Sequence, residues 1–316
     1  MSARVALALL YVSLACVPAS SEGAPPALPE GFTFDADVPY GAQSPAQKLD
    51  ILYPSDAAAS ARPAIVHIHG GGWYAGSKGG EKTLEMLRAF AANGYVAVSI
   101  DYRLSDEARF PAAMEDCKLA LRWLRANAGT YHIDPDHLGA IGGSAGGHLS
   151  AFLAVTGEVD DFHGDGSYRE YSSAIQAAVP ICPPTDLSKP LSEKFGLEAD
   201  DAVIRFLGGT PLEKQDEARR ASPATYVCPG LPPMFFIHGV EDKRVLPSHS
   251  TELAARLRDA GNACEVAIVE GFGHNVDMAR TPEMLARIVA FFDRHLKVPA
   301  DVAAAATNGG VSPSAE

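Results

Sequence analysis

The sequence has few cysteines, an excess of acidic over basic residues, and no apolar run long enough to cross a membrane. Its 316 residues include 26 Lys and Arg against 39 Asp and Glu, which gives a formal net charge of −13. This balance argues against a nucleic-acid partner, because such a partner needs a basic surface. The five cysteines include no Cys-x-x-Cys pair, and their spacing selects no particular pairing. We therefore predict no metal site and no essential disulfide.

The length and the hydrophobic content of 47% suffice for one sizeable core, and we predict a single domain over residues 30–298. Residues 1–19 begin with a positive charge and continue into a short apolar run, the pattern of a signal peptide. We expect a secreted or periplasmic protein without a stable membrane span. Lipoprotein anchoring at Cys16 is the less favoured alternative, because Ser13 fits poorly where such a signal has an aliphatic residue. Residues 299–316 are rich in Ala, Gly and Ser and are predicted to be a disordered tail.

The most informative pattern is Gly-x-Ser-x-Gly over residues 142–146, which follows an apolar run and leads into a helical segment. Such a strand–turn–helix arrangement places the serine on a sharp bend with its hydroxyl exposed. The alternative is a glycine-rich turn with an incidental serine. We favour Ser144 as the nucleophile of a hydrolase, because two further segments of the chain supply its partners.

A strand predicted over residues 63–68 runs into His69-Gly70-Gly71-Gly72-Trp73. Backbone N–H groups of such a glycine loop can stabilise the negative charge that develops on a carbonyl oxygen during acyl transfer. We assign an oxyanion hole to the N–H groups of Gly71, Gly72 and Ala145. A phosphate-binding loop is disfavoured, because Ser77 precedes Lys78 where that motif requires the reverse order. Trp73 is the candidate aromatic wall of the pocket, with a packing role as its alternative.

Two later strands, predicted over residues 234–239 and 264–269, end just before Asp242 and His274. Carboxyl ends of parallel strands gather at one edge of a sheet, so these side chains and Ser144 can converge there. The order serine, acid, histidine is that of α/β-hydrolases, with the histidine as base and the acid holding its tautomer. Glu241 and His238 are the rivals for acid and base. We interpret His69 and His148 as packing or bracing residues.

The motifs together resemble the carboxylesterase branch of the α/β-hydrolases, within it the feruloyl-esterase-like (BD-FAE) group near the hormone-sensitive-lipase-like esterases. The resemblance rests on the His69–Trp73 loop, Asp101-Tyr102-Arg103-Leu104, Phe110-Pro111-Ala112, the serine motif, and the pattern His-Gly-x-x-Asp-x-x-Val on His238, Gly239, Asp242 and Val245. It covers about residues 32–297. It implies an eight-stranded, mostly parallel sheet, a Ser-His-Asp triad, no cofactor and ester substrates such as acetylated or feruloylated carbohydrates.

Strand and helix signals alternate from Leu49 onward, which indicates an α/β fold with a parallel doubly wound sheet and helices on both faces. The alternation stops at about residues 183–228, which we interpret as a small helical cap over the site. The polar segment 157–171 we interpret as a solvated loop in preference to a Ca²⁺ site.

We expect a serine carboxylesterase acting on short-acyl or aryl esters, with acylated polysaccharide as a candidate substrate. An amidase or peptidase of the same fold and a non-catalytic esterase-like binding module are the alternatives. The sequence leaves the oligomeric state open.

Overall fold

The computed structural model describes residues 28–157, 159–194, 196–197 and 200–297. The predicted signal peptide with Cys16 and the predicted tail after residue 298 lie outside the described residues. None of the helices in the described ranges has the length and apolar character needed to span a membrane.

Within these residues, eight strands form one sheet in the order β1-β2-β4-β3-β5-β6-β7-β8. The pairs β1–β2 and β2–β4 are antiparallel and all later neighbours are parallel. The expected eight-stranded, mostly parallel sheet is therefore confirmed. The strands are β1 Phe32–Pro39, β2 Lys48–Pro54, β3 Arg62–Ile68, β4 Val96–Ile100, β5 Ile133–Gly143, β6 Ala177–Ile181, β7 Met234–Gly239 and β8 Cys264–Val269.

Helices cover both faces of this sheet. They are α1 Glu81–Ala92, α2 Ala112–Ala126, α3 Ala128–Tyr131, α4 Ala145–Val155, α5 Asp201–Leu207, α6 Gln215–Arg220, α7 Ser248–Asp259 and α8 Pro282–Leu296. One hydrophobic cluster joins α2, α4, α5 and α7 to one face of the sheet, and a second joins α1 and α8 to the other face. Two buried faces explain why the central strands read as continuous apolar runs.

The sequence pattern located most elements to within a few residues, with two exceptions. β5 begins at Ile133, four residues before the apolar run of residues 137–141 that leads into the serine motif. β1 gave no clear sequence signal, because this antiparallel edge strand is half-exposed and its pairing with β2 shifts register between Asp35 and Val38. Cys264 is half-buried, because it lies on the edge strand β8. All four described cysteines are free thiols.

A row of buried cations on α2 holds the polar segment that follows α4. Lys118 and Arg122 are fully buried and Arg125 is nearly so. We call these three residues the cation ladder. Their side chains donate hydrogen bonds to backbone carbonyl oxygens of this segment, those of Thr156, Val159, His163, Ser167, Ser172 and Ala174. The segment predicted to be a solvated loop is thus tied down through its backbone.

Candidate active site

Ser144 occupies a sharp bend between β5 and α4. Its backbone φ of 56° and ψ of −117° are unusual for a residue with a side chain. Its N–H donates to the carbonyl oxygen of Ile181 at 2.8 Å, and its own carbonyl accepts from the N–H of His148 at 2.9 Å. A Cβ atom at Gly146 would lie 2.0 Å from the carbonyl oxygen of Ile68. The glycine therefore lets the backbone of β3 approach the bend, as the predicted strand–turn–helix arrangement requires.

Three distant side chains meet at the carboxyl edge of the sheet. The Nε2 atom of His274 lies 2.8 Å from the Oγ of Ser144, and its Nδ1 atom lies 2.7 Å from an Oδ2 of Asp242. The loops after β7 and β8 are joined by a hydrogen bond from the N–H of Glu241 to the carbonyl oxygen of Phe272 at 3.0 Å. Because this bond fixes the two loops against each other, the acid and the histidine are held in register. We call Ser144, Asp242 and His274 the catalytic edge.

Asp242 is almost completely buried and every lone pair of its carboxylate is approached by a donor. One oxygen accepts from the N–H groups of Arg244 and Val245 at 2.8 and 2.9 Å, and the other accepts from both His274 and His238. Burial by itself would raise the pKa of this carboxyl. The hydrogen bonds from the two histidines and the backbone outweigh burial and hold the pKa well below its usual range. The carboxylate is therefore ionised and fixed in orientation.

Glu241 and the two histidines interpreted as packing or bracing residues lie outside the Ser144–His274–Asp242 chain. Glu241 is exposed, whereas Asp242 is buried. His69 lies in the glycine loop, where its Nδ1 is 2.7 Å from the carbonyl oxygen of Gly70 and its ring stacks on Tyr102. His148 is fully buried behind Ser144 and bonds to Trp73 and to a backbone carbonyl. In the structure, these two histidines therefore brace the surrounding backbone.

The glycine loop lies beside Ser144 with free donors. Within the described residues, no acceptor is bonded to the N–H of Gly71, Gly72 or Ala145. Gly71 has a φ of 110°, and a Cβ there would lie 2.1 Å from the carbonyl oxygen of Ala75. Ala145 is the first residue of α4, so its N–H belongs to the unpaired first turn and adds the positive end of the helix dipole. Such donors suit an oxyanion.

A cavity of about 510 Å³ opens over Ser144 and His274. Its wall on the side of the predicted cap is apolar and includes Pro184, Leu191 and Ala202. Trp73 also lines the cavity, but it is 2% exposed and stacks on Phe206 at 4.6 Å, so it both packs and forms wall. Further lining residues come from α1 and from the loop after His274. They are the polar Lys82, Thr83, Asn275, Asp277 and Arg280 and the apolar Met86 and Val276.

The link between α1 and the histidine loop has no signal in the sequence pattern. Lys82 donates to both carboxylate oxygens of Asp277 at 2.8 and 3.0 Å, and Arg280 bonds to Asp277 and to Glu85. Asn275 accepts from the N–H of Asp277 at 2.8 Å and caps the short helical turn that follows His274. The contacts of Lys82 and Glu85 hold the loop against α1. They join residues 195 positions apart, a separation over which local patterns give no information.

Within the described ranges, Cys182, His238 and Asp242 form a group whose ligand atoms lie within 4.8 Å of one another, close enough in principle for a metal ion. These ligand atoms are already protonated or hydrogen-bonded to other groups, however. Burial raises the pKa of the Cys182 thiol to about 12, so this group keeps its proton. His238 is bonded through both ring nitrogens. The chemistry of this group is that of a hydrogen-bonded support for the carboxylate.

Comparison with known proteins agrees with this geometry. The BD-FAE family model matches residues 49–257. The esterase LipQ of Mycobacterium tuberculosis (strain ATCC 25618 / H37Rv) is 32% identical over 270 residues, covering 81% of this chain and 61% of LipQ. The probable carboxylic ester hydrolase LipM of the same strain is 31% identical over 229 residues, covering 72% of this chain and 52% of LipM. The chain thus spans only about half to three fifths of the length of these curated relatives.

Solved structures give the same result. A truncated carbohydrate esterase from gut microbiota superposes with a TM-score of 0.77 at 29% identity, covering 83% of this chain and 95% of that one. The apo form of Thermogutta terrifontis esterase 2 gives a TM-score of 0.66 at 28% identity, covering 92% of this chain and 99% of that one. The chain belongs to the BD-FAE family and has the α/β-hydrolase fold.

Proposed function

We propose that this protein is a serine carboxylesterase that cleaves short-acyl or aryl esters through an acyl-enzyme intermediate. One observation carries the proposal: His274 bridges the hydroxyl of Ser144 and the carboxylate of Asp242 at 2.8 and 2.7 Å, on the floor of an open cavity. The names of the relatives, which are esterases and carboxylesterases, support the reaction class. A non-catalytic binding module would have no need of this complete hydrogen-bonded chain.

In the reaction, His274 takes the hydroxyl proton of Ser144 as the oxygen attacks the ester carbonyl. The N–H groups of Gly71, Gly72 and Ala145 hold the negative oxygen of the tetrahedral intermediate. The imidazolium then gives its proton to the leaving alcohol, and the acyl group remains on the serine. Water, deprotonated by His274, attacks this acyl-enzyme. The imidazolium then returns its proton to the Oγ of Ser144 as the bond to the acyl group breaks and the acid is released. Asp242 stabilises the imidazolium in both halves of the cycle.

The lining of the cavity supports a short acyl chain or an aryl group as the part of the substrate that lies against Pro184, Leu191 and Ala202, because these side chains form a small apolar wall. On this proposal, the segment 183–228 acts as a cap. The polar residues that α1 and the loop after His274 contribute to the cavity suit a hydroxyl-rich alcohol. One structural neighbour is described as a carbohydrate esterase, which supports acylated carbohydrate as the substrate class.

The substrate class is tested by comparing hydrolysis of p-nitrophenyl acetate, p-nitrophenyl butyrate, methyl ferulate and acetylated xylan with that of p-nitroacetanilide and an aryl formamide. We expect the esters to be cleaved at least about 100-fold faster than the amides, and Ser144→Ala to lose about 10⁴-fold or more in kcat. Faster turnover of the formamide or anilide would make the protein an amidase. A folded protein that cleaves none of these compounds would refute the proposal.

We also infer export, with residues 1–19 removed as a signal peptide, on the evidence of their charge and apolar pattern. Intact-mass measurement of the protein recovered from its native host tests this. Loss of about the first 19 residues supports export by signal peptidase, a lipid-modified Cys16 would indicate anchoring instead, and a full-length cytoplasmic protein would contradict both.

A further inference from the structure

The triad carboxylate has a second histidine bonded to it, which the reaction scheme above does not use. His238 is the next-to-last residue of β7 and is fully buried. Its Nε2 atom lies 3.1 Å from the Oδ2 of Asp242, the same oxygen that His274 contacts at 2.7 Å. One carboxylate oxygen therefore lies between two imidazole rings, one exposed to the cavity and one enclosed by protein.

The neighbours of His238 fix which nitrogen carries the proton. Nε2 also lies 2.9 Å from the carbonyl oxygen of Val245, and a carbonyl can only accept. Nε2 must therefore bear hydrogen and donates to both oxygens. On the other side of the ring, Nδ1 lies 2.8 Å from the Oγ of Ser250, whose hydroxyl can donate to it. The arrangement is complete with a neutral ring.

We propose that His238 is a positioning residue for the hydrolysis, which donates a hydrogen bond to Asp242 and so weakens the hydrogen bond between that carboxylate and the ring of His274. The proposal rests on the function proposed above. It differs from simple packing, because the donor is aimed at the atom that also holds the catalytic imidazole.

The physical consequence follows from how a carboxylate shares its charge. A hydrogen bond from His238 stabilises the anion and withdraws part of the negative charge from Oδ2. Without that donor, Oδ2 becomes more basic and its bond to His274 strengthens. The imidazole then holds its proton to a higher pH. Since only the neutral imidazole can act as base, the acidic limb of the pH–activity profile must shift to higher pH.

Other titratable groups face this pair and could contribute to a pH profile. The Cys182 thiol keeps its proton, because burial raises its pKa to about 12. Burial lowers the pKa of His249 on α7. The guanidinium of Arg244 is paired with Asp200 at 2.7 Å, and the backbone N–H of Arg244 donates to Asp242. The side chains of His238, His274 and Cys182 also form hydrogen bonds with Asp242.

The test compares His238→Leu, which removes the donor but fills the site, with His238→Gln, which retains an N–H at similar reach. For His238→Leu we expect kcat to fall about 10- to 100-fold and the acidic limb of the kcat/KM profile to move up by about half to one pH unit. For His238→Gln we expect most of the activity and an unmoved limb. An unmoved or lowered limb in His238→Leu would overturn the proposal.

His249→Leu is the matched control, since it removes a buried histidine of the neighbouring helix that does not contact Asp242. It should lower the unfolding temperature without moving the limb. A second readout needs no turnover: NMR titration of the imidazole at position 274 in Ser144→Ala, with and without His238→Leu. If the protein cleaves esters but His238→Leu does not move the NMR titration midpoint of the imidazole at position 274, only the role of His238 is refuted. If that midpoint moves but the protein cleaves no ester, only the proposed function is refuted.

Discussion

Two regions of this molecule bury polar side chains, and they differ in what those side chains face. In the catalytic edge, Asp242 is enclosed but His274 keeps 22% of its side chain exposed to the cavity. In the cation ladder, Lys118 and Arg122 are fully buried and donate mainly to backbone carbonyls, with one further bond from Arg122 to the ring of His163. A buried polar side chain that is hydrogen-bonded to backbone stabilises the fold, whereas one that is partly exposed to a cavity can act on a ligand there. Substitutions in the two regions should therefore separate activity from stability.

The largest expected effect is on the catalytic edge. His274→Ala should lower kcat by about 10⁴- to 10⁶-fold, because the serine loses its base, while the free energy of unfolding changes by less than about 1 kcal/mol. Steady-state kinetics with p-nitrophenyl acetate and urea unfolding measure the two quantities.

His137→Ala is a close control for this substitution. Its side chain is 26% exposed and lies 2.8 Å from Asp134, much as His274 lies beside Asp242, but it is in the first half of β5, away from the serine bend. We expect kcat to stay within about twofold of the unmodified protein. A similar loss in both variants would mean that the histidine–aspartate pair acts through stability rather than chemistry.

The next largest effect should be on the free energy of unfolding and not on kcat. Arg122→Met keeps the length of the side chain but leaves the carbonyl oxygens of His163 and Ser167 without their donors. We expect a loss of about 2 to 4 kcal/mol in the free energy of unfolding, because each unsatisfied buried group costs about 1 to 3 kcal/mol. The kcat of the folded fraction should not change.

Arg219→Met on α6 provides the comparison, since its side chain is 63% exposed and its ion pair with Asp216 is solvated. It should cost less than about 0.5 kcal/mol. If Arg122→Met were no more destabilising than this variant, the ladder would not be a structural device.

The smallest effect concerns His148, which lies one turn after Ser144 on α4 and is fully buried. Its Nδ1 accepts from the indole N–H of Trp73, and burial lowers its pKa to about 4. Between this value and the ordinary one of about 6.5, the unfolded chain binds a proton that the folded chain does not. Stability must therefore fall as the pH is lowered from about 6.5 toward 4, by at most about 1.4 kcal/mol per pH unit from this group.

His148→Gln should make that decline shallower, as measured by urea unfolding at pH 5, 6 and 7. His67, whose pKa burial also lowers to about 4, keeps its own contribution in both proteins. An equal decline in the two proteins would show that His148 does not resist protonation in the folded state.

The sequence predicted the parts of this molecule that depend on local pattern. Ser144, Asp242 and His274 could be located because each follows an apolar strand, and topology brings such strand ends together. Cys117, Leu121 and Leu124 have the spacing of one helix face, and all three are buried on α2. The family resemblance supplied the strand count that the pattern of β1 did not give.

What escaped prediction depends on long-range contact. Charged residues at helical spacing, such as Lys118, Arg122 and Arg125, ordinarily indicate a solvated face. They are buried here because a segment some 40 residues later offers its carbonyls to them. His238 was considered as a rival base, and only the tertiary structure shows both its ring nitrogens engaged and Asp242 shared with His274.

The central claim is that the hydroxyl of Ser144 is the nucleophile activated through His274. Treatment with an aryl organophosphate such as paraoxon, followed by peptide mass spectrometry, tests it most directly. The account predicts one diethylphosphoryl group per chain, on Ser144, formed in step with the loss of esterase activity and strongly slowed in His274→Ala. Labelling of another residue that accompanies inactivation, or equal labelling rates in the two proteins, would contradict it.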